Sequence, residues 1–211
     1  MTNPFDSHAR EYDEWFDTHA LEYNAELEAI RTLLPDKGEG IEIGVGTGRF
    51  AGPLTISTGI EPSEAMRRLA QGRGINIIAG TAESLPVTDK TYDYALLVTT
   101  VCFLASLQSA FTEVYRILRE GGFIIIGLID RDSVLGRHYE KNKASSVFYK
   151  DATFHTVDEI IHGLEQSGFH HFDFAQALLP GDSHKNTAAV VKTGYGEGSF
   201  VVLRAQKPPA E

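Results

Sequence analysis

Between His8 and Leu34 the apolar positions fall at helical spacing. Tyr12, Trp15, Phe16, His19 and Tyr23 follow i, i+3, i+4, i+7 and i+11 while Asp13, Glu14 and Asp17 point away, which predicts an amphipathic helix in two segments. Beyond it come short apolar runs separated by helical stretches. A strand at Ile41–Ile43 enters a glycine-rich turn and then a helix; a second strand ends in Thr58-Gly59-Ile60-Glu61 and is followed by a helix from Glu64 to about Gln71. A third strand covers Ile75–Ala79, and Tyr92–Val101 reads as a buried strand of a parallel sheet. Leu107, Phe111, Val114 and Leu118 line one face of the next helix, which Gly121-Gly122 is expected to end before a fifth strand, Phe123–Ile129. Thr156-Val157-Asp158-Glu159 forms a capping box for a helix reaching about Ser167. Two strands then follow, His170–Leu178 and Gly198–Ala205, with a glycine-containing stretch and no helix between them, so one of the pair must run antiparallel.

With 211 residues, 42% of them hydrophobic, the chain suits one domain with a full core. We divide it into an N-terminal helical lid (1–38), a cofactor-binding core (39–130), an acceptor-site loop (131–156), and a terminal helix and strand pair (157–211). The longest uncharged apolar run is too short for a membrane span, and the first residues lack a basic end followed by an apolar core, so a cytoplasmic location is expected. A formal charge of −10 disfavours nucleic acid as the main partner. The single cysteine, Cys102, rules out a disulfide framework or a thiolate cluster. No metal site is expected: His170 and His171 are adjacent on a strand and point to opposite faces, and no other spacing resembles a first shell.

The candidate chemistry is concentrated in Ile41–Leu54, IEIGVGTGRFAGPL. Gly44, Gly46 and Gly48 remove the Cβ atoms that would keep a ligand off the backbone and permit positive φ where the chain reverses. A following helix, with Pro53 in its first turn, would aim free N–H groups at the same place. Glu42 is a carboxylate inside an apolar strand, costly unless paired or exposed at an edge. Gly46-Thr47-Gly48-Arg49-Phe50-Ala51 also fits the dinucleotide pattern G-x-G-x-x-A, so the turn alone leaves two cofactor classes open.

The order of the surrounding motifs separates them. With its acid two residues before the first glycine, this stretch resembles the first motif of the class I S-adenosylmethionine-dependent methyltransferases, where the acid lies near the methionine moiety and the glycines line it. REYDEWF resembles the N-terminal lid of ubiquinone/menaquinone-biosynthesis-type (type 11) methyltransferases, in which the tyrosine, here Tyr12, approaches the cofactor. Glu61 stands at the tip of the second strand, where a carboxylate can accept from both ribose hydroxyls. The sequel, with Pro62 and Met66, resembles the second family motif flanking the adenosine. Gly80-Thr81-Ala82-Glu83 would present backbone groups to the adenine edge, with Thr81 where the family usually has aspartate. Val98 and Thr99 should open onto the transfer site. Leu118–Ile124 resembles the third family motif.

The resemblance implies a Rossmann-like, doubly wound α/β fold with a mostly parallel seven-stranded sheet, an antiparallel terminal strand and an N-terminal helical lid. It also implies S-adenosyl-L-methionine as cofactor, S-adenosyl-L-homocysteine as product, and methyl transfer to O, N or C of a small-molecule acceptor. The strand end has no N-P-P-Y sequence, no Pro-Cys nucleophile and no aminopropyl-transferase aspartate, and Cys102 reads as a small buried residue. Asp130–His155 is the expected source of acceptor contacts, through Arg131, His138, Tyr139 and Tyr149. No strong general base stands out; a Tyr or His of the lid or late loop would fill that role. A cofactor-binding protein without transfer activity and an NAD-type oxidoreductase are the rival readings.

Overall fold

The computed structural model describes residues 3–179, 182 and 189–210. Residues 180–181 and 183–188, in the stretch between the last two expected strands, lie outside the described residues. Three helices come first: α1 (Pro4–Ser7), α2 (Ala9–Thr18) and α3 (Ala20–Arg31). Asn3 caps α1 by accepting from the Phe5 N–H. The break at His19 follows from Thr18, whose hydroxyl bonds back to the Trp15 carbonyl at 3.0 Å and competes with the helix.

The remaining elements are β1 (Gly40–Ile43), β2 (Thr58–Glu61), α4 (Glu64–Gly72), β3 (Asn76–Ala79), β4 (Tyr92–Val98), α5 (Leu107–Ile117), β5 (Leu118–Ile129), α6 (Val134–Asn142), α7 (Val157–Gln166), β6 (His170–Leu178), β7 (Val190–Thr193) and β8 (Phe200–Gln206). The strands form one sheet in the order β3-β2-β1-β4-β5-β8-β6-β7. Pairing is parallel from β3 to β5; β8 inserts antiparallel between β5 and β6. Seven of these strands are those expected from sequence. The eighth, β7, is a four-residue edge strand pairing only with β6, too short and too exposed to leave an apolar signature.

Alternation along β1 sets the two layers. Ile41 and Ile43 face a cluster with Phe111 and Val114 of α5 and Ile160 and Leu164 of α7. The opposite face of the sheet packs Leu96, Ile125 and Val202 against Ala29 and Ile30 of α3 and against Phe50 and Leu54.

Two local expectations are corrected. Residues 47–55 form a run of turns, with no α-helix. Pro53 has no N–H to give the Arg49 carbonyl, which instead accepts from the Tyr23 hydroxyl of α3. Helix α5 stops at Ile117 rather than at the glycine pair, and Gly121-Gly122 lies inside β5. There Gly121 has φ +77, the register against β4 shifts between Tyr92 and Tyr94, and a Cβ on Gly122 would stand 2.8 Å from the Asp93 carbonyl oxygen. The glycines therefore serve a bulge and a close strand contact.

Helix α2 is fastened to the glycine turn by Asp13. Its carboxylate accepts from Thr47 Oγ1 at 2.6 Å, Arg49 Nε at 2.8 Å, Arg49 Nη2 at 2.9 Å and Arg73 Nη2 at 2.9 Å. Burial opposes its ionisation, but these donors outweigh burial and hold it at about 2. Asp13→Ala should strand two arginines in a partly buried site and cost about 2 kcal/mol, a fall in Tm of about 4–8 °C. A folded pKa below the ordinary carboxylate value means this contribution is present at neutral pH and is lost as pH falls towards about 2. Thermal unfolding of wild type and D13A at pH 7, compared with pH 3, checks both; equal Tm values at pH 7 would contradict the role.

Candidate active site

Two cavities meet beneath the lid at the carboxyl edge of the sheet. The first encloses about 360 Å³ and is walled by Gly44 and Gly46 of the turn, Glu61, Pro62 and Met66 after β2, Gly80, Thr81, Ala82 and Glu83 after β3, and Val98, Thr99 and Thr100 after β4. Asn3, Pro4, Phe5 and Tyr12 roof it. A carboxyl-edge crevice between strands of an open α/β sheet is where such folds take ligands.

Gly46 gives the clearest test of fit. It has φ +54, and a Cβ built there would meet only a Tyr12 ring carbon, at 3.9 Å, so the missing side chain leaves open space for a ligand against the backbone. Gly48 differs: a Cβ there would stand 2.4 Å from Ile75 Cδ1, so it is a packing glycine. Thr47 and Gly48 do not line the cavity, and Thr47 spends its hydroxyl on Asp13.

Glu42 is also outside the lining, on a central strand between β2 and β4 and only 1% exposed. It is therefore no edge residue. Burial raises its pKa well above the usual carboxylate range, offset in part by a backbone hydrogen bond from Ala51, and Oε2 has no partner among the described residues. Burial beneath the turn thus disfavours its charged form.

Glu61 proves more embedded than a solvated strand end. At 6% exposure, Oε2 accepts from the Gly46 N–H at 3.0 Å and Oε1 from the Ser63 N–H at 2.8 Å. Each carboxylate oxygen retains a second lone pair for a ligand hydroxyl. Burial raises its pKa, against the lowering effect of the two backbone donors. Ser63 caps α4 through Met66 N and donates to Asp6 Oδ1 at 2.5 Å, tying α1 over the same end.

Thr99 has φ +49, an uncommon and strained conformation for a β-branched residue, held by its N–H donating to the Gly127 carbonyl at 2.8 Å. Its side chain faces both cavities. The second encloses about 430 Å³, and Tyr12, Thr99 and Phe148 belong to both walls.

This second chamber is aromatic and acidic. Trp15, Phe16, Tyr139 and Tyr149 line it with Glu11, Glu22 and Glu26, and among the described residues no Lys or Arg does. His138, Tyr139 and Tyr149 of the expected acceptor loop reach it; Arg131 instead pairs with Glu159 at 2.8 Å. Burial, with Glu22 adding to it, pushes Glu26 up to about 8. Burial likewise raises Tyr12, against a hydrogen bond to Thr99, and raises Tyr149, so both phenols stay protonated. Cys102 is pushed up to about 12 by burial and is no nucleophile. Glu26 escaped the reading of the sequence, although it lies three residues after Tyr23 and four before Ile30, on the apolar stripe of its helix. Among the described residues no group of His, Cys, Asp and Glu could hold a metal ion, and no helix is long and apolar enough to cross a membrane.

Residues 41–126 match the family model described as a methyltransferase domain. A crystal structure from Thermotoga maritima, described as "SAM-dependent methyltransferase, possible histamine N-methyltransferase", is 48% identical and superposes with a TM-score of 0.92, covering 97% of this chain and 98% of that one. An uncharacterized protein of Methanocaldococcus jannaschii is 44% identical over 205 residues, 97% of this chain and 99% of its own. The ubiquinone/menaquinone biosynthesis C-methyltransferase of Methylobacterium nodulans is 28% identical over 137 residues, 56% of this chain and 54% of its own. The fold and these likenesses define a class I α/β methyltransferase. The chain belongs to the S-adenosylmethionine-dependent methyltransferase family.

Glu61→Ala leaves the Gly46 and Ser63 N–H groups without acceptors and should lower apo stability by about 1–3 kcal/mol. Glu64→Ala, whose exposed carboxylate pairs only with Arg68, should change it by less than about 0.5 kcal/mol. Urea unfolding of the two variants checks this, and equal midpoints would contradict the pinning role of Glu61.

Proposed function

We propose that the protein transfers a methyl group from S-adenosyl-L-methionine to an amine nitrogen of a small organic acceptor, releasing S-adenosyl-L-homocysteine. The observation that carries this reading is the pair of cavities sharing the wall of Tyr12, Thr99 and Phe148. One cavity has the glycine turn and strand-end acid suited to a nucleoside; the other has room for an acceptor.

In the first cavity Glu61 would accept from the ribose hydroxyls, the Thr81–Ala82 backbone would meet the adenine edge, Met66 and Pro62 would flank the adenosine, and the open face of Gly46 would admit the chain beyond it. Glu83 has one carboxylate oxygen occupied by the Ala105 N–H at 2.8 Å and would contribute mainly by shaping the wall. The cofactor supplies a methyl group already activated by a sulfonium. The protein's work is then to hold the acceptor nitrogen in line at near-attack distance and exclude water, an orientation effect worth on the order of 7–11 kcal/mol. The lid and the acceptor-site loop would do both together, placing Tyr12 and Phe148 respectively at the junction.

Nitrogen as the acceptor atom is supported by the chemistry of the second chamber. Its aromatic faces and the carboxyl groups of Glu22 and Glu26, which have no partner among the described residues, favour an organic cation over a carboxylate or phosphate. The description of the Thermotoga maritima relative points to the same acceptor class. A protein that binds the cofactor without transfer is the reading to separate experimentally; an NAD-type oxidoreductase fits poorly with the antiparallel strand β8 inserted between β5 and β6.

S-adenosylhomocysteine at about a hundred times its Kd should stabilise the fold by roughly 2.7 kcal/mol, a Tm rise of about 5–11 °C, while NAD gives none. Gly46→Val should abolish the shift but keep the circular dichroism of the wild type, with a modest stability loss from a side chain at φ +54. Incubation with S-adenosylmethionine and a panel of amines, phenols and carboxylates should yield S-adenosylhomocysteine with amines alone. Stabilisation by NAD, or turnover confined to phenols, would overturn the reading.

A further inference from the structure

Glu26 is buried in the acceptor chamber, and among the described residues nothing answers its charge. It is 5% exposed and lines the cavity. Only burial and the neighbouring Glu22 carboxylate act on it, both against ionisation, and no hydrogen-bond donor offsets them. The titratable groups sharing the chamber with it come from every packed element: Glu22 one turn earlier on α3, Glu11 and Tyr12 on α2, His19 between these helices, His138 and Tyr139 on α6, and Tyr149 after it; Glu11 is paired with His8 at 2.9 Å. Asp182, also on the wall, is already engaged by the Leu179 N–H at 2.6 Å and the Ser199 N–H at 3.0 Å. A buried carboxyl without a protein cation is strongly unfavourable as an anion and persists as the neutral acid. Arg49 already lies over the Phe16 ring at 5.7 Å, but four other rings offer a second attraction to positive charge that no described Lys or Arg uses: Tyr139 and Tyr149 are stacked at 5.2 Å, and Tyr12 meets Phe148 edge-on at 5.5 Å.

We propose that Glu26 is the counter-ion of the acceptor: a positively charged amine takes the place of its carboxyl proton, so that acceptor binding and proton release are one event. The inference rests on the amine reading above and assigns it to one residue. For an ammonium acceptor, the same carboxylate then takes back one N–H proton. The N–H bond breaks, an O–H bond forms, and the nitrogen lone pair is freed while Glu26 returns to the neutral acid it is in the empty chamber. That proton leaves to water when the next cation enters. Glu26 thus sets specificity and acts as the base that the phenols of the chamber, held protonated, do not supply.

The test uses the full chain and a cation that cannot be methylated at nitrogen. Choline and its neutral carbon isostere, 3,3-dimethylbutan-1-ol, differ in charge and hardly in shape. Calorimetric titration at pH 7 in phosphate and in Tris should show about 0.9 proton released per choline bound, the fraction of a group at about 8 that is protonated one unit lower. Choline affinity should fall about tenfold from pH 7 to pH 6 and level off above pH 8, because the cation requires the ionised form. The alcohol should bind at least about tenfold more weakly than choline at pH 8, with no proton release. Glu26→Gln should lose both the preference and the proton release.

Folding of the variant is read independently. A carboxyl raised to about 8 stabilises the native state fully below its ordinary value near 4.5 and loses that contribution as pH rises through 8. Wild-type Tm should therefore fall between pH 6 and pH 9 more steeply than that of E26Q. Absence of choline binding, choline binding without proton exchange, or equal choline affinity in wild type and E26Q would overturn the proposal. S-adenosylhomocysteine titrated into the same samples keeps the two readings apart: its failure to bind beside intact choline-linked proton release would remove the methyltransferase reading and leave the Glu26 site, and the converse result would do the reverse.

Discussion

Both chambers depend on one carboxylate. Asp13 receives hydrogen bonds from Thr47, Arg49 and Arg73, and so joins the lid helix α2, the glycine turn and the end of α4 at a single point. Arg49 extends the junction to Asp17 at 2.7 Å, and Arg73 returns to the Thr47 carbonyl at 2.8 Å. The neighbouring residue, Tyr12, is thereby held over the meeting place of the cavities. The acidic side of α2, which binary patterning assigns to solvent, is the side that fixes the roof. Charges facing solvent in a pattern can face arginines in a structure, and the pattern alone does not distinguish them.

The tension in this site lies on the other side of the same turn. Glu42 is a buried acid whose charged form burial disfavours, Glu61 a buried acid holding two backbone N–H groups, and Thr99 a β-branched residue at φ +49. Each is unfavourable in isolation, and each is held by the packed strands around it. Strain and buried acids concentrated at the carboxyl ends of β1, β2 and β4, and scarce along the rest of those strands, fit a site built for a ligand rather than for stability.

The sheet was legible because short apolar runs recur along the chain, some separated by amphipathic helices such as α4 and α5; the order of Ile41–Ile43, Thr58–Glu61, Ile75–Ala79 and Tyr92–Val101 already implied the parallel half. The edge strand Val190–Thr193 was not, because a four-residue strand exposed on one edge is stabilised by backbone pairing that leaves no side-chain signature. The helix expected after the glycines fails at Gly52-Pro53, where local turn chemistry overrides the apolar spacing. Among site residues, Gly44, Gly46, Glu61, Pro62, Met66, Thr81, Ala82, Glu83, Val98 and Thr99 line one cavity with Tyr12, whereas Glu42 of the first motif lies buried beneath the turn, and Thr47 and Gly48 of the same motif turn to Asp13 and to packing. Glu26 was missed because a single acid among apolar residues on a helix face looks like an interruption of the core, and only the folded chain shows that it borders a cavity.

The central claim is that ligand and acceptor occupy adjoining chambers and meet at Tyr12, Thr99 and Phe148. A crystal structure of the protein with S-adenosylhomocysteine tests it most directly. The adenosine should lie between Met66 and Ala82 with its ribose on Glu61, and the thioether sulfur should face the Tyr12–Thr99 junction, leaving the chamber of Glu26 open beyond it. A sulfur turned away from that junction, or the nucleoside seated in the chamber of Glu26, would contradict the account.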